Sequence, residues 1–235
     1  MIKAPDSGYL ADKFAAIEKN LQRRLIVGII GHETLATDQL VDYTQQCTDA
    51  LRALQARHPT RNLEIMSALA PGAERIGAHA ALSLGLRLIV LLPPDSAMLG
   101  DPDESAESAA EYRSLLLQVP IQNFQIPAPD THGESSACCA ADLTRLIVSE
   151  SQALIALWDG GASEWPGDTA DMVDAKLRPR RHDLPDIAAG PVLHMPVLRE
   201  VGSQVPSGVL PVWMYPDGAD DVQRLERRKR FPVLV

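Results

Sequence analysis

The chain has 235 residues and a formal net charge of −9, from 22 Lys and Arg against 31 Asp and Glu. Hydrophobic residues make up 46% and aromatic residues only 4%, which excludes a disordered chain and predicts a core of aliphatic side chains. Because an acidic surface repels polyphosphate backbones, we expect no general nucleic-acid binding.

The composition also indicates a cytoplasmic protein. The first residues mix polar and apolar types, unlike a signal peptide, and the longest apolar run, Leu86 to Pro94, is too short to cross a bilayer. The three cysteines, Cys47, Cys138 and Cys139, form no CxxC pair, which favours free thiols over a disulfide framework. We expect no metal ion and no cofactor.

Taken in chain order, apolar periodicity predicts strands that alternate with helices. The run RLIVGIIG at 24–31 is typical of a buried central strand, and the spacing after it is typical of a long helix. The predicted elements are a helix to about 21, strand 24–31, helix 34–57, strand 63–69, helix 73–84, strand 86–92, helix 111–118, a short strand in 122–127, helix 137–152, strand 153–158, helix 169–177, and strands at 192–197, 212–215 and 231–235. Residues 95–107 are predicted to be a mobile loop.

This alternation predicts the α/β class, with a Rossmann-like, doubly wound, mostly parallel sheet and helices on both faces. We expect one domain over residues 1–235. Its core spans about 24–200, with an N-terminal helix at 1–23 and a C-terminal extension at 201–235.

Three glycine-bearing turns lie where ligands bind in open parallel sheets, beyond the carboxyl ends of the strands. The first is Gly31-His32-Glu33-Thr34, where glycine lets the backbone approach a ligand and free N–H groups attract an anion. His32 could donate to a phosphate oxygen. The alternative is an ordinary helix cap at Thr34 with His32 on the surface.

The second turn runs from Leu69 into a helix and contains Gly72, Ala73, Glu74 and Arg75. Glu74 could accept hydrogen bonds from ribose hydroxyls, as an acid does in many nucleotide-binding folds. The alternative is that Glu74 compensates the helix dipole beside a solvated Arg75.

The third turn is a Gly-rich loop that ends in a hydroxyl residue with acids in the first helical turn. The alternative is a flexible loop with an ordinary cap. Its candidate ligand-binding residues are Asp159, Gly160, Gly167, Asp168, Thr169 and Asp171. Because all three turns follow strands of one sheet, we expect them to converge on a single crevice.

At these turns the sequence resembles the SLOG superfamily, which unites DNA-processing protein A, Lonely Guy phosphoribohydrolases and the sensor domain of melastatin-type TRP channels. The likeness is strongest to bacterial nucleotide-sensing SLOG proteins. It rests on IVGIIGHE from Ile26, SALAPGAERIGAHAALSLGLRLIVLLP from Ser67, and WDGGASEWPGDTADMV from Trp158. It spans about residues 25–177.

The resemblance implies a domain that senses a nucleotide or an ADP-ribose-derived signal, often in bacterial conflict systems. The ligand would be lined by Gly31 and His32, by 72–75, and by 167–169. An effector outside this chain would carry the output, and a homodimer is plausible. The chain departs from the family pattern at Glu33, Glu74 and Asp168, so either a less anionic ligand or a degenerate site fits.

Two alternatives from other classes stay open. A Lonely Guy-like hydrolase would use a carboxylate beside an N-glycosidic bond, and Asp171 or Glu74 could serve. However, the place of the family's glutamate is taken by Met172. A single-stranded DNA binder like DNA-processing protein A is the second alternative, against which stand the charge and the scarcity of aromatic residues.

Overall fold

The structure, a computed structural model, describes residues 23–92, 105–125, 136–182, 184, 186–199 and 210–216. Seven strands form one sheet. They are β1 (Arg24–Gly31), β2 (Asn62–Ser67), β3 (Arg87–Leu91), β4 (Phe124–Gln125), β5 (Ala153–Trp158), β6 (Val192–Pro196) and β7 (Val212–Met214). The helices are α1 (Leu40–Arg57), α2 (Ala73–Ser83), α3 (Ala106–Gln118), α4 (Ser136–Glu150) and α5 (Thr169–Leu177), with 3₁₀ turns at Thr37–Gln39, Ile121–Asn123 and Pro179–Arg181.

The strand order β4-β3-β2-β1-β5-β6-β7 confirms the predicted doubly wound α/β fold. The chain builds outward from β1 to β4 and then returns to place β5 on the other side of β1. Strands β1 to β6 pair in parallel, whereas β7 pairs antiparallel with β6. The reversal leaves a switch point between the carboxyl ends of β1 and β5, where such sheets open a crevice.

The alternation of side chains along the strands divides the core into two layers. One face of β1 packs Leu25, Val27 and Ile29 with helices α1 and α2, and the other packs Ile26 and Ile30 with α4 and α5. Both faces of the central strands are therefore covered, which explains their continuous apolar runs. None of the helices in the described residues is long and apolar enough to cross a membrane.

A buried lysine joins two helices of the second layer. Lys176 of α5 is 0% exposed, and its Nζ donates to the carbonyl oxygens of Val148 at 2.9 Å and Ser151 at 2.5 Å. These are carbonyls at the end of α4, which have no partner within their own helix. Burial lowers the pKa of Lys176 to about 8.

Several boundaries differ from the predicted ones. Helix α1 begins at Leu40 and not at Thr34, because a 3₁₀ turn precedes it. Helix α3 begins at Ala106, where the Ser105 hydroxyl accepts from the Ser108 N–H, so the predicted loop ends earlier. The strand predicted within 122–127 is only Phe124–Gln125. The predicted elements at 1–21 and 231–235, and most of the predicted loop at 95–107, lie outside the described residues.

Candidate functional site

A polar network lies at the switch point. His32 follows β1, Asp159 follows β5, and Arg199 lies three residues beyond β6. The Asp159 carboxylate is 3.1 Å from His32 Nε2 and 3.1 Å from Arg199 Nε. The Asp159 backbone nitrogen and Arg199 Nε each lie 3.2 Å from His32 Nε2. Three connections that are far apart in sequence thus meet through three side chains.

The charge of this network favours an ionised Asp159. Partial burial raises the pKa of its carboxyl, but the Gly161 N–H, His32 and Arg199 outweigh that effect, and the net pKa lies below the ordinary value. Arg199 is only partly enclosed, since 43% of its side chain is exposed. Its guanidinium can therefore contact Asp159 and a dissolved anion at the same edge.

His194 and Trp158 form the floor beside this network. Their rings lie 3.9 Å apart between centroids, and His194 Nε2 is 3.1 Å from the Trp158 carbonyl oxygen. Burial lowers the pKa of His194, which favours its neutral form. Gly160 has a φ of 82°, which favours glycine, and a Cβ there would lie 3.4 Å from His194 Cε1, so the loop passes close to the ring.

The β2–α2 turn packs directly on the turn after β1. The Ala73 N–H donates to the His32 carbonyl oxygen at 3.0 Å. Gly72 has a φ of 70°, and a Cβ there would lie 2.4 Å from the Glu33 carbonyl oxygen. The two turns approach so closely that only glycine fits at position 72. Glu33 and Thr34 are exposed at the rim.

The side chains of Glu74 and Arg75 face the interior. Glu74 is 5% exposed and accepts from Ser67 Oγ at 2.9 Å and from the Ala68 N–H at 2.5 Å. Burial raises its pKa to about 7, against the lowering effect of these donors. Arg75 is 4% exposed, and it donates to the Leu69 carbonyl oxygen and to Ser108 of α3. Both residues stabilise the turn.

The turn before α5 forms a separate group. The Asp168 side chain caps the helix by accepting from the Asp171 N–H at 2.8 Å, and its other oxygen accepts from the Glu164 N–H at 2.7 Å. Asp171 accepts from the Gly167 N–H at 2.8 Å and lies 3.4 Å from His182. The chain's own carboxylates therefore occupy these amides at the start of α5.

The predicted site residues thus divide into three groups. The switch point brings together the backbone of 31–34 and 72–73 with His32, Asp159 and Gly160. Glu74 and Arg75 lie behind the turn, and 167–171 cap α5. Arg199 and His194 were absent from the sequence-based candidates. The sequence did contain a signal for both residues, because His194 lies within the predicted strand at 192–197 and Arg199 lies just after it.

No protein-family model matches the chain, and no curated protein matches it. Solved structures that resemble it include DNA processing protein A from Helicobacter pylori, described for its single-stranded DNA binding mode, with a TM-score of 0.44 and 17% identity over 79% of this chain and 71% of that one. Another is DNA processing protein A from Streptococcus pneumoniae, with a TM-score of 0.39 and 13% identity over 73% of this chain and 60% of that one. The likeness is one of fold. Within the described residues, no group of three or more His, Cys, Asp or Glu side chains is placed to hold a metal ion.

One expectation needs correction. The net charge of −9 led us to exclude general nucleic-acid binding, yet a similar structure is that of a protein with a single-stranded DNA binding mode. The net charge does not support that exclusion, because it sums the whole surface, whereas a phosphate backbone responds to the local potential of the patch that it contacts.

Proposed function

We propose that the switch-point crevice binds a small nucleotide-like ligand and that the chain is a ligand-sensing domain. The observation that carries the proposal is the network of His32, Asp159 and Arg199, which joins the connections after β1, β5 and β6. Convergent polar side chains at a topological switch point are the usual setting for a ligand in this fold class. The motif resemblance to nucleotide-sensing SLOG proteins supports the same class of ligand.

The crevice favours a ligand with one anionic group over a polyphosphate. Arg199 and His32 can hold a phosphate, and they now contact the carboxylate of Asp159, which an incoming anion would displace or join. Asp168 and Asp171 already occupy amides at the start of α5, so a second phosphate there would meet negative charge. A nucleoside monophosphate fits this distribution of charge.

Calorimetry tests the proposal with AMP, ADP-ribose and NAD as probes. We expect AMP to bind, and we expect Arg199→Gln to weaken binding about 10-fold or more, because a charge-assisted hydrogen bond is lost. Arg113→Gln is the matched control, since it removes one exposed arginine from α3. If none of the three probes binds, or if both variants weaken binding equally, the proposal fails.

The same proposal includes an output outside this chain. A sensor needs an effector domain or partner protein. A homodimer and a bacterial setting follow from the family resemblance, and a cytoplasmic setting follows from the composition. We do not extend the proposal to hydrolysis. Glu74 is buried and Asp171 accepts from Gly167, so both carboxylates suggested for that chemistry have partners within the chain.

A second candidate function, binding of single-stranded nucleic acid, is favoured by the opposite edge of the sheet. Five arginines lie where β1, β2 and β3 begin and where α1 ends, and we call them the arginine edge. Arg24 and Arg87 lie 2.7 Å and 3.5 Å from the buried carboxylate of Glu64. Arg guanidinium groups bind phosphate in a bidentate manner. The arginine edge consists of Arg23, Arg24, Arg57, Arg61 and Arg87.

Fluorescence anisotropy with a labelled oligothymidine of about 20 nucleotides tests this candidate. We expect salt-dependent binding, and we expect the double variant Arg23→Gln, Arg57→Gln to reduce the slope of log K against log salt by about 1.4. The control, Arg113→Gln with Arg199→Gln, removes the same net charge from α3 and from the opposite edge of the sheet. Equal slopes for the two double variants would exclude the arginine edge as the binding surface.

A further inference from the structure

One aromatic side chain near the crevice projects into solvent. Trp165, in the loop between β5 and α5, is 59% exposed, whereas Trp158 and Trp213 are 8% and 6% exposed. The other large hydrophobic side chains that are exposed in the described residues are aliphatic. A solvent-facing indole has no role in the core, and it offers a flat apolar surface.

The backbone of Trp165 is held in place although its ring is not covered. Its N–H donates to Asp168 Oδ2 at 3.3 Å, and its carbonyl oxygen accepts from the Asp168 N–H at 3.3 Å and from Ser163 Oγ at 3.1 Å. Because Asp168 binds both the N–H and the carbonyl oxygen of Trp165, the indole projects from an ordered turn. An ordered backbone at this position loses little conformational entropy when a ligand contacts the ring.

Trp165 belongs to the same loop as the crevice residues. It lies six positions after Asp159, so the two residues are at most about 20 Å apart even in an extended chain. The loop leaves β5 at the carboxyl edge of the sheet and enters α5 from that edge. Trp165 and Asp159 therefore border the same edge of the sheet, and the turns at Asp159–Gly161 and Glu164–Asp168 bring them closer than this limit.

Charge sets the direction of such a ligand. The exposed carboxylate of Glu164 neighbours Trp165, and Asp168 lies beneath it, so this end of the loop repels phosphate. At the switch point, Arg199 is the partly exposed arginine and is next to His32. The anionic end of a ligand is thus favoured at Arg199, and an uncharged end is favoured at Trp165.

We propose that Trp165 is a stacking platform for the planar base of the ligand, whose phosphate lies at Arg199 and His32. This inference rests on the proposed function and narrows it to ligands that carry a heteroaromatic base. A base with an exocyclic amino group fits best, since the amino group can donate to Glu164. Stacking of bases on tryptophan is sequence-tolerant and strong enough to set affinity.

The test compares AMP with ribose 5-phosphate, which has the same phosphate and sugar but no base. Calorimetry on the full chain should show that Trp165→Leu weakens AMP binding about 10-fold and leaves ribose 5-phosphate binding unchanged. Trp165→Phe retains a ring and should recover part of the loss. AMP should also quench the emission of the exposed tryptophan, and ribose 5-phosphate should not.

Each other outcome has a distinct meaning. Unchanged AMP affinity in Trp165→Leu overturns the stacking role and leaves the proposed function intact. Equal weakening of both probes shows that Trp165 acts through the loop and likewise overturns stacking. If wild-type protein binds neither probe, the proposed function fails and this inference fails with it.

Discussion

Lys176→Ala is expected to lower the free energy of unfolding by about 3–5 kcal/mol, because it opens a cavity and removes a buried donor. The lysine is fully buried, and its Nζ contacts the Val148 and Ser151 carbonyl oxygens at the end of α4. Both losses act on the contact between α4 and α5. Urea denaturation monitored by circular dichroism measures the change.

Lys176→Met separates the two contributions, since it restores most of the volume without the amine. If methionine recovers most of the stability, the cavity dominates, and if it does not, the carbonyl oxygens dominate. A loss below about 1 kcal/mol for Lys176→Ala would contradict the described burial.

The pH dependence of stability gives an independent check of the same side chain. The pKa of Lys176 is about 8 in the folded chain and 10.5 ordinarily, so between these values the unfolded chain binds the additional proton. Stability contributed by this group therefore rises with pH between about 8 and 10.5 and is flat below that window. Wild-type protein should show this rise relative to Lys176→Met.

Gly31→Ala is expected to destabilise the chain by about 2–4 kcal/mol and to disturb the crevice. A Cβ at this position would lie 2.2 Å from the Leu157 carbonyl oxygen and 2.5 Å from the Ala73 Cβ. The Leu157 carbonyl accepts from the His32 N–H at 3.0 Å, so the clash forces β1 away from β5 at the switch point. Thermal unfolding measures the loss.

Gly85→Ala is the matched control for Gly31→Ala. Gly85 has a φ of 64°, but no atom lies within 4 Å of the place that an alanine methyl group would take. Alanine there costs only the left-handed backbone, about 1 kcal/mol. The difference between the two variants reports the steric contact together with the difference in backbone strain, since Gly31 has a φ of 158°. Equal losses would show that β1 and β5 are not in close contact at Gly31.

The fold could be predicted from the sequence because its signals are local and consistent. Continuous apolar runs at 24–31 and 153–158 indicate strands covered on both faces, and both are central in the sheet. Helix α5 begins at the predicted residue, although its cap is the carboxylate of Asp168 and not the predicted hydroxyl of Thr169. These features depend on neighbours within a few residues.

Features that depend on contacts between distant residues were harder to predict from the sequence. The predicted start of α1 at Thr34 was too early, because Leu35 is buried without being helical and a 3₁₀ turn precedes Leu40. The antiparallel direction of β7 depends on the path of the preceding chain, which composition does not encode.

In the candidate site too, some features could be predicted from the local sequence and others could not. The turns containing His32 and Asp159 follow strands, so their place at one edge could be predicted. The inward direction of Glu74 and Arg75 could not, because the backbone of the turn decides it. Leu69 has a φ of 61° and Gly72 a φ of 70°, and these left-handed residues direct the following helix start toward the core.

The position of the ligand can be read by NMR when AMP is titrated into ¹⁵N-labelled protein. Binding in the crevice predicts that the largest shifts occur at the amides of His32, Asp159 and Gly160, and that Arg199→Gln requires about 10-fold more AMP to produce them. Shifts confined to residues around Arg23 and Arg57, or no shift at saturating AMP, would contradict a nucleotide site between β1 and β5.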